Sequence, residues 1–177
     1  INNNNVKWFF FSIYFFNFII IIFPIFSSLI LLPSIGAFFL FFIKSNKENT
    51  ITVKYVALFT SLVNFFLSIY LWFLFDQSTS NFQFVEDRVW IEGFINYKVG
   101  IDGISILFII LTTFITPLCI ISVNNSIKNR LREFLIAVLI MESFMIGVFC
   151  SLDLVVFYLF FEAGLIPMFL IIGIWGG

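Results

Sequence analysis

The chain has 177 residues, of which 62% are hydrophobic and 11% are charged, and its formal net charge is −1 at pH 7. Soluble domains contain about 25% charged and about 45–50% apolar residues, so this composition excludes a soluble globular protein and indicates a membrane protein with several spans. The near-neutral charge and the lack of a basic cluster also exclude a nucleic-acid-binding protein.

The first apolar stretch, residues 6–43, is too long for one membrane span. As a single helix it would measure about 57 Å, against a hydrocarbon core of about 30 Å. We therefore place the first span at residues 19–43 and treat residues 7–17 as an aromatic lead-in at the membrane interface. A tight hairpin of two spans that turns near Pro24 or Pro33 is the alternative.

The later apolar runs predict four more spanning helices, and the fold class is therefore an all-α, polytopic bundle of about five transmembrane helices. It forms one membrane domain without a soluble domain. Residues 82–97 partly alternate between polar and apolar side chains, which predicts a short hairpin outside the membrane. The four later spans are predicted at residues 53–75, 101–123, 134–150 and 154–175.

The loops between these spans alternate in charge. The loops after spans one and three are basic, whereas residues 76–100 are acidic. The positive-inside tendency then predicts that the basic loops and the C-terminus face the matrix or the cytoplasm and that the N-terminus faces the opposite side. Asp102 lies at the start of span three and Asp153 directly before span five, where a carboxylate can cap a helix, and we predict this role for both.

Glu162 lies in the middle of the last predicted span and is the strongest candidate for a functional residue. A charge at the centre of a spanning helix costs about 2.5–3.5 kcal/mol on insertion scales, so such residues usually face a path for ions or protons. Tyr158 lies one turn earlier, and Pro167 frees the carbonyl of Ala163, so the surroundings are polar. Glu142 in the preceding span is the second candidate. For either acid the alternative is a structural role, in which it only bonds a neighbouring helix.

Few residues are available for cofactor chemistry. The chain contains no histidine, which removes the commonest ligand of haem and zinc. Cys119 and Cys150 lie at the ends of apolar runs without the spacing of a metal site, and we interpret both as structural. There is no glycine-rich phosphate loop. The sequence therefore predicts no metal or cofactor in this chain, and any redox chemistry must belong to another chain.

Two stretches resemble a known family. VGIDGISILFIILTTFITPLCIIS and EFLIAVLIMESFMIGVFCSLDLVVFYLFFEAGLIPMFLIIGIWGG are similar to the N-terminal third of the NADH dehydrogenase (ubiquinone) subunit 4 family, the antiporter-like membrane subunits of respiratory complex I. The sequence FFEAGLIPM at residues 160–168 is the most specific element, followed by DGIS at residues 102–105. The resemblance is strong over residues 72–177 and extends to residues 19–71 only in pattern.

The resemblance implies a proton-translocating subunit of the mitochondrial inner membrane. It implies that Glu162 pairs with a lysine on a later helix and modulates proton movement, and that Glu142 is a second member of the proton path. Flavin, iron–sulfur clusters and quinone would be held by other subunits. The partners would be other complex I membrane subunits, membrane lipids, and a second polypeptide, or a continuation of the chain, that carries the rest of the subunit.

Two other functions are compatible with the sequence. The chain could belong to a multisubunit cation/proton antiporter, or it could be a structural membrane protein whose acids only hold helices together. The sequence around Glu162 favours the two transport functions over the structural one. The 29 phenylalanines, with abundant isoleucine and asparagine, indicate an AT-rich genome such as that of an organelle, which favours complex I.

Overall fold

The structure is a computed structural model that describes residues 25–43, 50–91, 95–123, 127 and 130–176. In these residues a two-stranded hairpin lies between the second and the third of five helices. In chain order they are α1 (Ile25–Phe42), α2 (Thr50–Leu74), β1 (Gln83–Ile91), β2 (Ile95–Ile101), α3 (Gly103–Ser122), α4 (Leu131–Cys150) and α5 (Leu154–Trp175).

The helices confirm the predicted polytopic bundle. α2 to α5 are each long and apolar enough to cross a membrane, and Ser27–Phe42 of α1 forms a shorter apolar helix. α1 continues through Pro33, so the alternative turn at that proline is wrong. The alternative turn near Pro24, residues 7–17 and residues 19–24 lie outside the described residues.

The bounds of α2 to α5 lie within three residues of the predicted spans. α5 has the predicted bounds, whereas α4 begins at Leu131 rather than at residue 134. The added turn contains Glu133, and an acidic residue in the first turn of a helix interacts favourably with the helix dipole.

The predicted hairpin outside the spans is confirmed as an antiparallel pair of strands that is tied to the helices. Asp87 lies opposite Lys98 in the register, and Lys98 Nζ lies 3.7 Å from Asp87 Oδ2. The Ser27 hydroxyl at the start of α1 donates to Glu86 Oε2 over 2.7 Å, and the Leu152 N–H before α5 donates to the Lys98 carbonyl over 2.9 Å. The hairpin therefore marks the end of the bundle where α1 and α5 begin.

The opposite end carries the residues that flank the two basic loops. Arg132 Nη1 donates to the Ile43 carbonyl over 2.8 Å, which holds the start of α4 beside the end of α1. The rings of Phe134 and Trp175 lie 5.4 Å apart, so α5 ends here as well. The relative placement of the loops agrees with the charge pattern, while the side of the membrane that each end faces stays a prediction.

Both predicted helix caps are confirmed. Asp102 Oδ1 accepts from the Ser105 hydroxyl over 2.6 Å and from the Ser105 N–H over 2.7 Å. The hydroxyl bond, and then the N–H bond, hold the pKa of Asp102 below its usual value. Asp153 Oδ1 accepts from the N–H groups of Val155 and Val156 over 2.8 and 3.2 Å. Each carboxylate thus satisfies amide donors that a helix start leaves unpaired.

α4 is the central helix, because it contacts each of the other four. α5 packs mainly against α4 and buries only Val156 and Pro167 of its own residues. They approach closely at Gly147, where an added Cβ would lie 2.7 Å from the ring of Phe160. Glycine at this position lets the two helices come together, as small residues do in other membrane bundles.

Candidate functional site

Glu142 is buried in the middle of the bundle. It is 2% exposed and lies on α4, while Asn64 on α2 is 0% exposed and faces it. Asn64 Nδ2 donates to Glu142 Oε1 over 2.9 Å. A buried acid therefore contacts a neutral amide from another helix, and this arrangement connects α4 to α2.

Hydroxyl groups near these two residues on their own helices form contacts with α3 and α1. The hydroxyls of Ser68 on α2 and Thr113 on α3 lie 2.7 Å apart. On the other side, the Ser34 hydroxyl on α1 donates to the Ser143 hydroxyl on α4 over 2.8 Å, and the Ser143 hydroxyl donates to the carbonyl of Ile30. These contacts join four helices in the order α1, α4, α2, α3. We call the following residues the polar row: Ser34, Ser143, Glu142, Asn64, Ser68 and Thr113.

The polar row lies in the middle part of the bundle. Each member is at least six residues from either end of its helix, or about 9 Å at 1.5 Å per residue. The row therefore crosses from helix to helix at a similar depth instead of following one helix through the membrane. Buried hydroxyls and amides between helices are typical of membrane bundles, where they bond across the interface.

Glu162 lies on the opposite side of α5 from the rest of the bundle. Phe160 packs against Gly147 of α4, and Glu162 follows two residues later, about 200° further around the helix. Its side chain is exposed, and Tyr158 interacts with it from one turn earlier. Within the part of the chain that the structure describes, no lysine or arginine is within ion-pair distance of it.

The two candidate acids are therefore not brought together. Glu142 lies in the polar row, whereas Glu162 faces outward. The proton-path roles of both stay predictions, as does the lysine partner of Glu162. Cys119 is exposed and Cys150 is buried, and both are free thiols. Over the described ranges, no group of three or more His, Cys, Asp or Glu side chains is placed to hold a metal ion.

Asn64 is a candidate site residue that the sequence interpretation did not identify. A signal was present, because Ser61, Asn64, Ser68 and Leu71 follow helical spacing along α2 and are all buried. Such a stripe, with three polar members in an apolar helix, indicates a face that bonds other helices. What the stripe cannot indicate is which helix it meets.

Sequence comparison gives the family. The chain is 48% identical over 151 residues to NADH-ubiquinone oxidoreductase chain 4 of Marchantia polymorpha, an alignment that covers 85% of this chain and 30% of the relative. It is 59% identical over 124 residues to NADH-quinone oxidoreductase subunit M of Rhodobacter capsulatus, covering 70% of this chain and 24% of the relative. The protein belongs to the family that these two relatives represent, which we call the chain 4/subunit M family.

A third relative is similar over the same share of the chain. The chain is 47% identical over 152 residues to NADH-ubiquinone oxidoreductase chain 4 of Mycosarcoma maydis, covering 85% of this chain and 31% of that relative. No family model matches the chain. It corresponds to the N-terminal part of these relatives and spans less than a third of their length.

Proposed function

We propose that this chain forms the N-terminal part of the proton-translocating membrane subunit of NADH:ubiquinone oxidoreductase in the mitochondrial inner membrane. Membership of the chain 4/subunit M family supports the complex, and the burial of Glu142 within the polar row is the observation that supports proton handling. The redox reaction, with its flavin, iron–sulfur clusters and quinone, is assigned to other subunits. This chain carries out no redox chemistry itself.

The chemistry of the polar row suits proton movement. A proton path needs groups that can both accept and donate, and hydroxyls do both. Four of the six members are Ser or Thr, and Glu142 adds a group that can change its charge. Because the row crosses four helices at similar depth, we propose that it carries protons laterally, within the plane of the membrane.

Glu162 is proposed to act with a part of the subunit that lies beyond this chain. Its exposed position on α5 leaves room for another helix, and a cation on that helix would offset the cost of an acid in the bilayer. We propose that a second polypeptide, or a continuation of the chain, supplies a lysine there. Other membrane subunits and lipids would cover the remaining apolar surface.

The proposed orientation follows the charge of the loops. The basic loops and the end of α5 face the matrix, and the N-terminus and the hairpin face the intermembrane space. Thiol labelling from each side of sealed membranes tests this with cysteines at Arg130 and Asp87, which flank a basic loop and lie in the hairpin respectively. Labelling of both cysteines from the same side would contradict the proposal.

Substitution of the two acids tests the proton path. Gln keeps the size of Glu but cannot ionise, so Glu162→Gln and Glu142→Gln should each leave assembly nearly intact and lower proton pumping, together with coupled NADH oxidation. Glu162→Asp should retain part of the activity. Purified complex in sealed vesicles gives both rates, from NADH oxidation and from pH-gradient formation. The matched control is Glu133→Gln on α4, whose carboxylate is outside the polar row and lies 3.8 Å from Arg130.

Two results would contradict the proposal in different ways. If Glu162→Gln and Glu142→Gln assemble and pump at the parental rate, the acids are structural. If mass spectrometry finds no flavin or iron–sulfur subunits in the native complex, the chain does not belong to a redox enzyme. A cation/proton antiporter is then the better supported function.

A further inference from the structure

The contact between Glu142 and Asn64 leaves two acceptors without donors. Glu142 Oε2 and Asn64 Oδ1 are both buried, and neither has a hydrogen-bond partner among the described residues. Buried polar atoms in native proteins are nearly always paired, because an unpaired one loses its hydration without compensation. Two such atoms in one contacting pair therefore indicate that a hydrogen-bond donor between them is missing.

No cation on the described helices can fill this place. α1 and α3 have no charged side chain, and the charged residue of α5 is Glu162, which faces away. Lys54 and Arg132 are the cations of α2 and α4, and each lies ten residues before Asn64 or Glu142 on its own helix. That spacing is about 15 Å along the helix axis. An ionised Glu142 would have one neutral amide as its partner, and a buried carboxylate with so little compensation is strongly unfavourable.

We propose that Glu142 holds its proton and forms a reciprocal acid–amide pair with Asn64. Asn64 Nδ2 donates to Glu142 Oε1, as the structure shows, and the protonated Glu142 Oε2 donates to Asn64 Oδ1. The end torsions of Glu and Asn side chains are broad, so a rotation of the two planar groups suffices for the second bond. One proton thereby satisfies both unpaired acceptors without any additional molecule.

The pair makes Asn64 a positioning residue for the proton path. If the proton leaves Glu142, the bond to Asn64 Oδ1 is lost and two acceptors again face each other. Release of the proton is thus coupled to weakening of the link between α2 and α4. This role rests on the proposed function, whereas the protonation of Glu142 and its bond to Asn64 do not.

Infrared spectroscopy of the purified complex tests the pair directly, because the carbonyl stretch of a protonated carboxyl is separate from the bands of a carboxylate. Spectra of the parental complex and of Glu142→Gln are subtracted, and we expect the variant to lose one protonated-carboxyl band. In Asn64→Leu this band should persist but shift to higher wavenumber, since the acid has lost its partner. The matched control is Ser61→Ala, a buried residue on the same face of α2 whose hydroxyl bonds its own helix at the Leu58 carbonyl.

The outcomes are distinct. If Glu142→Gln loses a carboxylate band and not a protonated-carboxyl band, Glu142 is ionised in the parental complex, and this overturns the proposal. An unshifted band in Asn64→Leu means that Asn64 is not the partner. If Asn64→Leu fails to assemble, Asn64→Ser, which is smaller and cannot span the pair, provides the same shift measurement. Pumping by the same samples is a separate readout: a lost band with normal pumping in Glu142→Gln supports the pair and contradicts its place in the proton path.

Discussion

The contact between α4 and α5 depends on the absence of a side chain at Gly147, and Gly147→Ala is predicted to weaken it. A Cβ at this position would lie 2.7 Å from Cγ and Cδ1 of Phe160. Carbon atoms normally pack at about 3.5–4.0 Å, so the ring must retreat by about 0.8 Å or more. Because Cγ is the first atom of the ring, rotation of the ring about its own axis does not relieve the clash.

The expected loss follows from the cost of overpacking, which is about 1–3 kcal/mol. Few other buried contacts can compensate for this loss, since α5 buries only Val156 and Pro167. Gly164→Ala is the matched control, because it makes the same backbone change on α5 and its Cβ would lie at an ordinary 3.7 Å from Cβ of Phe144. The difference between the two variants isolates the steric effect from the helix propensity of alanine.

Cys150 provides the assay. It is 0% exposed at the end of α4 and lies in the core cluster against which Phe160 packs, so a thiol reagent reaches it only when the packing opens. In a Cys119→Ser background, which removes the exposed thiol, Gly147→Ala should speed labelling of Cys150 by about 5- to 150-fold, the equivalent of about 1–3 kcal/mol.

A double-mutant cycle gives the refutation. If the clash is with Phe160, adding Phe160→Ala to Gly147→Ala should cost less than the sum of the two single changes, because the ring is already gone. Strict additivity would refute the steric explanation. Equal labelling rates for Gly147→Ala and Gly164→Ala would refute it as well.

Two further predictions concern single hydrogen bonds. Asp102→Ala removes the cap of α3 and should cost about 0.5–2 kcal/mol, measured as faster amide hydrogen exchange in the first turn of α3. The pKa of Asp102 is lower in the folded protein than its ordinary value of 3.8. The stability that the cap contributes should therefore be complete above pH 3.8, and it should be lost only as the pH falls through the lower pKa of the folded protein. Loss of protection already at about pH 6 would contradict this. Ser68→Ala removes the bond to Thr113 and should cost about 0.6 kcal/mol, the average for hydrogen bonds between membrane helices, in a thermal unfolding measurement with Ser61→Ala as the control.

The sequence predicted the elements better than their contacts. α5 was placed correctly because Asp153 and Gly176 bracket a long run in which Glu162 is the one charged residue. α4 was placed three residues late because its first turn contains charged residues, which an apolar pattern leaves out. The hairpin was visible as alternation, although its bonds to α1 and to the segment before α5 were not.

The site was predictable only in part. Glu142 and Glu162 stand out in sequence because each is a lone acid in an apolar span, and the sequence pattern ranked Glu162 first. In the structure one is buried and the other is exposed. The difference depends on how each helix is rotated against its neighbours, and helices that are apolar on all sides carry little periodicity to set that rotation. For the same reason, the bond from Asn64 to Glu142 could not be predicted.

The outward face of α5 has a consequence for biogenesis. A newly inserted α5 turns Glu162 toward acyl chains, at a cost of about 2.5–3.5 kcal/mol on insertion scales, until a neighbour covers it. Apolar helices gain no hydrophobic free energy from meeting in lipid, so a purely apolar neighbour would leave that cost in place. A neighbour that carries a cation or a hydrogen-bond donor at the right depth removes it. We therefore expect the exposed acid to favour, during assembly, a neighbouring helix that carries such a group.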